Sequence, residues 1–441
     1  MNNTKLIINS SSFYLSVFSI KNNILQNIFY QNQNSPKVNS IYLARVDKVM
    51  ESLGGSFVNL GGKQEAFLKF NKNQNKPKIG EKILVQVVKT ETIPNKKAVV
   101  SQDITLRGAL LVLKPLSKNI IFSKKLTDDD KQKIVASIGN SLGFIIRSLY
   151  KHNYLEDLKT ESYRLKNLWE NIKSQKEVGL VYEASLLENI ILDYAKNSSV
   201  EIIADTIEQH KQVQNVLNNY KFLEVNSKVY TEKEDILDFY DIRESLMDIQ
   251  STNLQLGDSF NLVFFESDSF NYIDVNFAGE ISFNSKEEVA YKTNMEILPI
   301  AVNQILLRNL SGQILIDVLK ITNKQYRNNL LDRCKKLLST DENKATVLGF
   351  SNLGLLEISR QKTQDSFKLI SKSLDYQLHL LIIKLRSLVA SNSEKLTIVA
   401  SSKHLDKLKT VANKELSELN IYINYEINES CKIPELRLGE I

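Results

Sequence analysis

The amino-acid sequence predicts a multidomain protein combining α+β and α/β architecture, on three observations. Ile41 to Ile104 divides into five short strand-like runs: Ile41 to Val49, Gly55 to Leu60, Glu65 to Phe70, Lys82 to Lys89 and Lys97 to Ile104. Gly54-Gly55, Gly61-Gly62 and Ile79-Gly80 punctuate them, the pattern of a small OB-type barrel. From Phe270 to Val318 the order is strand, helix, strand, a βαβ unit whose strands run parallel through a right-handed crossover. Between these blocks helices and strands alternate, and 441 residues with 42% apolar side chains suffice for packed cores.

The elements follow in order. Lys5 to Ile8, Phe13 to Ser19 and Ile24 to Tyr30 are strand-like runs separated by Asn/Ser/Lys turns, and Gln31 to Ser40 is a polar connection into the barrel. Beyond the barrel the sequence predicts a helix over Thr127 to Leu142, a strand over Phe144 to Arg147 and a polar helix from about Asn153 to Lys173. A hairpin, Asn261 to Phe265 and Phe270 to Val275, leads to Ser285-Lys286-Glu287-Glu288, a capping box that opens a helix running to about Arg308. Pro299 is expected to kink that helix. The strand Ile314 to Val318 follows, and the tail reads as a helix from Leu374, a strand Leu396 to Ser401, a helix His404 to Leu419 and a strand Asn420 to Ile427.

Composition narrows the chemistry. Only Cys334 and Cys431 are present, too far apart for a CxxC zinc site or a disulfide framework, and both read as small buried hydrophobes. His152, His210, His379 and His404 show no ligand spacing, so any catalytic metal is expected to be bound by oxygen. No apolar stretch is long enough to span a membrane, and Phe13 to Ile20 lacks the features of a signal peptide, which predicts a cytoplasmic protein. Pro36 to Pro115 holds 14 Lys/Arg against 6 Asp/Glu, an excess larger than the +6 of the whole chain. Such a region attracts a polyphosphate backbone, although a solvated lysine-rich surface has the same composition. Phe57 and Phe67 lie within it beside Lys63 and Lys69, an arrangement suited to stacking single-stranded bases, or to ordinary core packing.

Two aspartates carry the clearest chemical signal. Asp274 in Tyr272-Ile273-Asp274-Val275-Asn276 and Asp317 in Gln313-Ile314-Leu315-Ile316-Asp317 are each the only charge in a strand-like apolar run. An ionised carboxylate buried there is costly unless a cation meets it. A βαβ unit brings both to the carboxyl ends of parallel strands, where ligands gather, and Mg²⁺ fits a pair of oxygen donors. The plainer alternative is that each Asp ends its strand and caps a loop. Asn276 shares a face with Asp274 and either braces the carboxylate or forms the turn.

At these residues the chain resembles the ribonuclease E/G family. Besides the two aspartate strings, Thr293-Asn294-Met295-Glu296 and Gly354-Leu355-Leu356-Glu357-Ile358-Ser359-Arg360-Gln361 fall in that family's order and spacing. Ser40-Ile41-Tyr42, Gly55-Ser56-Phe57-Val58 and Ala66-Phe67-Leu68 are similar to its RNA-binding OB domain, and Gly143-Phe144-Ile145-Ile146-Arg147-Ser148 to its sensor of an RNA 5′-monophosphate. The resemblance covers residues 1 to 367. It implies an RNase H-like subdomain (1–38, resumed over 111–225 with the sensor and over 226–278), interrupted by the OB-fold barrel (39–110). A DNase I-like catalytic subdomain (279–367) and a divergent small domain (368–441) follow.

The implied activity is Mg²⁺-dependent endonucleolytic cleavage of single-stranded RNA. Asp274 and Asp317 would hold the metal with Asn276 in support, Phe57, Phe67, Lys69 and Arg360 would meet RNA, and Arg147 and Ser148 would bind the terminal phosphate. The chain departs from the family pattern at Phe277-Ala278-Gly279, at Asn309 after Arg308, at Lys320 where an acid is usual, and at Asn352-Leu353-Gly354. Thr363 to Leu374 contains no cysteine, so a zinc-linked dimer is excluded while another homo-oligomer stays open. These departures keep two other readings in play: an RNA-binding paralogue that does not cut, and a ribosome-associated interaction protein using the basic barrel.

Overall fold

The computed structural model describes residues 4–70, 76–90, 97–123, 126–195, 200–267, 270–277, 286–339, 341, 343–390, 395–419 and 421–438. Two compact units divide the chain, residues 31–229 belonging to one and residues 5–30 with 230–441 to the other.

In the first unit Ile41–Met50, Gly55–Gly61, Gln64–Lys69, Lys82–Lys89 and Ala98–Ser101 form a closed five-stranded barrel. The first three strands pair antiparallel in succession, the third meets the fifth in parallel, and the fourth pairs antiparallel with both the fifth and the first. Alternation fills the interior with Val46, Val58, Leu60, Ala66, Leu68, Val85, Val87 and Val100. The strands expected from sequence are all present. The helix expected over Thr127 to Leu142 is Asp128–Ile138, opened by a Thr127–Asp130 capping box and ended by Gly139 at φ +71°. Leu155–Ser174 packs Leu158, Leu165, Trp169 and Ile172 into a second core with Leu110, Leu113 and Phe144.

The second unit is organised by a six-stranded sheet in the order Asn253–Leu256, Phe260–Glu266, Phe270–Phe277, Gly312–Asp317, Leu356–Arg360, Thr346–Phe350. Phe270–Phe277 and Gly312–Asp317 are parallel and joined through the helix Lys286–Leu307, the expected βαβ unit; the other pairings are antiparallel. One face buries Leu262, Phe264, Ile273, Val275, Ile314, Ile316, Leu356 and Ile358 against Ala301, Ile305, Leu330 and Cys334. Pro299 lies inside the crossover helix. Ser285 of the expected capping box and Ala278-Gly279 fall outside the described residues. Glu287 and Glu288 turn to other partners, Glu287 accepting from Thr322 and Asn323 and Glu288 pairing with Lys292.

Thr4–Ser10, Tyr14–Lys21 and Ile24–Asn32 lie side by side in a sheet. At the other end of the sequence Leu374–Ala390, Lys395–Ala400, Ser402–Glu418 and Tyr422–Ile427 match the expected helix and strand order. A further strand, Glu435–Leu438, pairs antiparallel with Lys395–Ala400 and was not anticipated. Cys334 is fully buried, and burial pushes its thiol up to about 12, which leaves it inert as a nucleophile. Among the described residues no helix is long and apolar enough to cross a membrane.

Candidate active site

Asp274 and Asp317 stand directly opposite each other in the parallel pair. Period-two alternation sends Ile273 and Val275 into the core and leaves Tyr272, Asp274 and Asn276 on the opposite, partly open face, where both aspartates are half-buried. Adjacent strands lie about 4.8 Å apart, a spacing compatible with two carboxylates sharing one cation at the roughly 2.1 Å that Mg²⁺ demands. Each carboxylate is held by one oxygen: Asn276 Nδ2 donates to Asp274 Oδ2 at 3.0 Å, and the Tyr272 hydroxyl donates to Asp317 Oδ2 at 2.7 Å. The other oxygen of each has no hydrogen-bond partner among the described residues, so a two-pronged oxygen donor set faces outward. This donor set fits a hard divalent cation. No group of three or more His, Cys, Asp or Glu side chains suited to a metal occurs among the described residues, and a Mg²⁺ ion with two protein ligands takes the remainder from water and phosphate.

Tyr272 was not singled out in the sequence, although its spacing of two from Asp274 placed it on the same face. Burial, the bond to Asp317 and the negative charge of both aspartates push its phenol up to about 12, so it remains a donor at neutral pH. Asn294, 1% exposed, brackets the chain just beyond Asp317 by accepting from Leu319 N at 2.9 Å and donating to Leu319 O at 2.8 Å. Lys320, the basic residue where an acid was expected, is exposed.

Arg360 is placed differently from the expectation that it meets RNA. It pairs with Gly312, at the far end of the strand that ends in Asp317, a separation of about 16 Å at 3.3 Å per residue. Its guanidinium is 4% exposed, forks onto both oxygens of Asp341 at 3.0 Å, and donates to Asn309 Oδ1 at 2.7 Å and Leu310 O at 2.8 Å. With its donors spent on these groups it acts as a buried tie. Asn309 completes the knot from a left-handed conformation at φ +50°, donating to Asp365 O at 2.9 Å, so this departure from the family pattern is built into the packing. Beside it Arg308, wholly buried, binds Glu266 and the carbonyls of Ser251 and Asp248.

In the first unit Phe57 and Phe67 are cross-strand partners on the outer barrel wall, their ring centroids 5.5 Å apart at 65°. Neither belongs to the barrel core; both are half-buried on the outer face, packed edge to face on each other. Gly55 makes room: a Cβ there would lie 2.2 Å from Phe67 Cζ. Lys48, opposite Phe57, and Lys69, opposite Gly55, are both exposed, and Lys48 was missed in the sequence.

Arg147 donates to Asp193 at 2.7 Å and to Gly108 O at 2.6 Å, and Arg107 pairs with the same aspartate, so two guanidinium groups share one carboxylate. Burial and the neighbouring Arg107 depress the Arg147 pKa, opposed by Asp193. Ser148 is exposed on the following turn. Glu161, 4% exposed, accepts from the amides of Ala109, Leu110 and Leu111, each at 3.0 Å, and fixes the loop that carries Gly108. An acid on the apolar stripe of helix Leu155–Ser174 was the signal for it.

The aspartate pair and Arg147 fall within a family match. The model of the ribonuclease E/G family matches residues 105–363, well over half of the chain and including both aspartates and Arg147. Ribonuclease G of Escherichia coli (strain K12) and that of Salmonella typhimurium (strain SL1344) are each 24% identical, with 96% of this chain and 96% of the relative covered. A ribonuclease E/G-like protein of Pyropia yezoensis is 28% identical over 80% of this chain and 74% of its own length. With the matched segment spanning the paired aspartates and the strands that present them, the chain belongs to the ribonuclease E/G family.

Proposed function

We propose that the protein is a Mg²⁺-dependent endoribonuclease that cleaves single-stranded RNA in RNA processing or decay, with a preference for 5′-monophosphorylated ends. The observation that carries this reading is the in-register pairing of Asp274 with Asp317 on the open face of the sheet, each with an oxygen to spare. Asp274 and Asp317 bind the ion, Asn276 and Tyr272 orient them, and Asn294 fixes the backbone beyond Asp317. Bound there, Mg²⁺ supplies charge neutralisation at the scissile phosphate and activation of water. Phe57 and Phe67 offer ring faces to bases while Lys48 and Lys69 attract the backbone, so the barrel acts as an OB-type single-strand binder. Arg147 and Ser148 receive the terminal phosphate, a dianion that competes with Asp193 for the guanidinium.

A short, AU-rich, 5′-monophosphorylated single strand incubated with Mg²⁺ tests the proposal. Cleavage that vanishes in Asp274→Asn and in Asp317→Asn is expected. RNA binding without any metal-dependent cutting supports the non-cutting paralogue, the reading favoured by a site with two acids among the described residues and Lys320 three positions beyond Asp317. Arg147→Ala is expected to erase the preference for monophosphate over hydroxyl ends; equal rates on both ends with the unmodified protein remove the sensor role.

A further inference from the structure

The outer face of the six-stranded sheet carries Asn253, Gln255, Asn261, Gln313, Glu357 and Ser359 together with the half-buried Val263 and Leu315, the register partners of Asp274 and Tyr272. Near Tyr272 two large rings stand in solvent. Phe265 is 58% exposed and Phe270 44% exposed, and both flank Tyr272 on this same face. Phe265 is the direct register partner of Tyr272, their ring centroids 5.8 Å apart at 51°. The Tyr272 ring is pinned by its hydroxyl bond to Asp317 and so forms a fixed wall between Phe265 and the acid pair.

We propose that Phe265 and Tyr272 form a nucleobase-stacking subsite for single-stranded RNA, taking the base adjacent to the phosphate held at Asp274 and Asp317. The identity of that phosphate as the scissile one rests on the nuclease reading above; the stacking does not. Two residues along a strand span about 6.6 Å, a distance that one ribose-phosphate unit bridges between a phosphate at the acids and a base on the ring. An aromatic face accepts any base, so the subsite adds affinity and position rather than a sequence code. Phe270, two residues before Tyr272, extends the shelf for the next base. A stacked base would cover the exposed Phe265 ring and remove its apolar surface from water.

The test uses the protein with Mg²⁺, reading fluorescence on rapid mixing before cleavage, and short 5′-monophosphorylated single strands with 2-aminopurine at successive positions. Stacking quenches 2-aminopurine fluorescence. Quenching is expected at one position next to the cleavage site, abolished in Phe265→Ala and Phe265→Leu and retained in Phe265→Trp, with oligonucleotide affinity falling roughly 5-fold or more in the Ala variant. Phe57→Ala should remove quenching at a different position. With Mg²⁺ present, Phe265→Leu is expected to raise KM and leave kcat near its original value. Quenching that is identical in Phe265→Ala and the unmodified protein at every position overturns the subsite, whatever the cleavage result. Quenching that depends on Phe265 in a protein that never cuts overturns the nuclease reading and retains the subsite.

Discussion

The two ends of one sheet treat charge in opposite ways. At the carboxyl end of its parallel strands two like charges, Asp274 and Asp317, stand side by side on an open face, each with one oxygen that no described residue engages. At the other end Arg308 and Arg360 are buried, and each is matched by one carboxylate, Glu266 and Asp341, and by backbone carbonyls. A charge buried without compensation would cost several kcal/mol, so the arginine end closes its accounts within the chain. At the aspartate end the two carboxylates face outward with no cationic partner among the described residues, which is what the proposed Mg²⁺ site requires.

The comparison breaks most sharply through the acids. Asp274→Asn or Asp317→Asn should lower cleavage by about 10³-fold or more, the scale of losing a principal electrostatic stabiliser, while leaving the thermal midpoint unchanged or slightly raised because a like-charge neighbour is gone. A large fall in the midpoint would show that the pair is a structural tie. Arg360→Met should do the reverse, destabilising by about 3–5 kcal/mol, since Asp341 is left buried and unpaired; chemical denaturation reads this. Residual folded protein should cut at the original rate.

A smaller effect tests the barrel. Phe57→Ala should weaken single-strand binding by about 1–3 kcal/mol, with no change in the metal concentration needed for cleavage. His379 provides a buried group of a third kind, held neutral: it is 1% exposed, and burial with the nearby Arg386 brings its pKa down to about 3 from 6.5. Because the unfolded chain binds the proton more readily, this contribution to stability is complete above pH 6.5 and lost as pH falls toward 3, with a slope of about 1.4 kcal/mol per pH unit. His379→Gln should flatten that slope in acid denaturation. The smallest effect is expected at Lys320: exposed as it is, Lys320→Ala should change stability by less than about 0.5 kcal/mol, and a several-fold gain in cleavage would show that its ammonium opposes the cation.

Much of this was readable from residues in a line. Glycine pairs and alternating apolar residues marked all five barrel strands, because turn chemistry and side-chain period are local properties. The strand, helix, strand order around Asp274 and Asp317 foretold a parallel pair, since a crossover of that length permits little else. Local signals failed where partners are remote in sequence. Arg360 looked like a contact for RNA until Asp341 and Asn309 were seen to consume its donors, and Tyr272 looked like one more strand aromatic until its hydroxyl met Asp317, 45 positions away.

The sequence by itself determined which residues could form strands and helices, and it singled out two acids as candidates for a site. Only the tertiary structure decided that those acids stand in register, which of their oxygens remain free, and which arginines are spent on the interior. The physical reason is that backbone periodicity is encoded by neighbours along the chain, whereas the partner of a charge is chosen by strand pairing and burial, which bring together residues that no local pattern links.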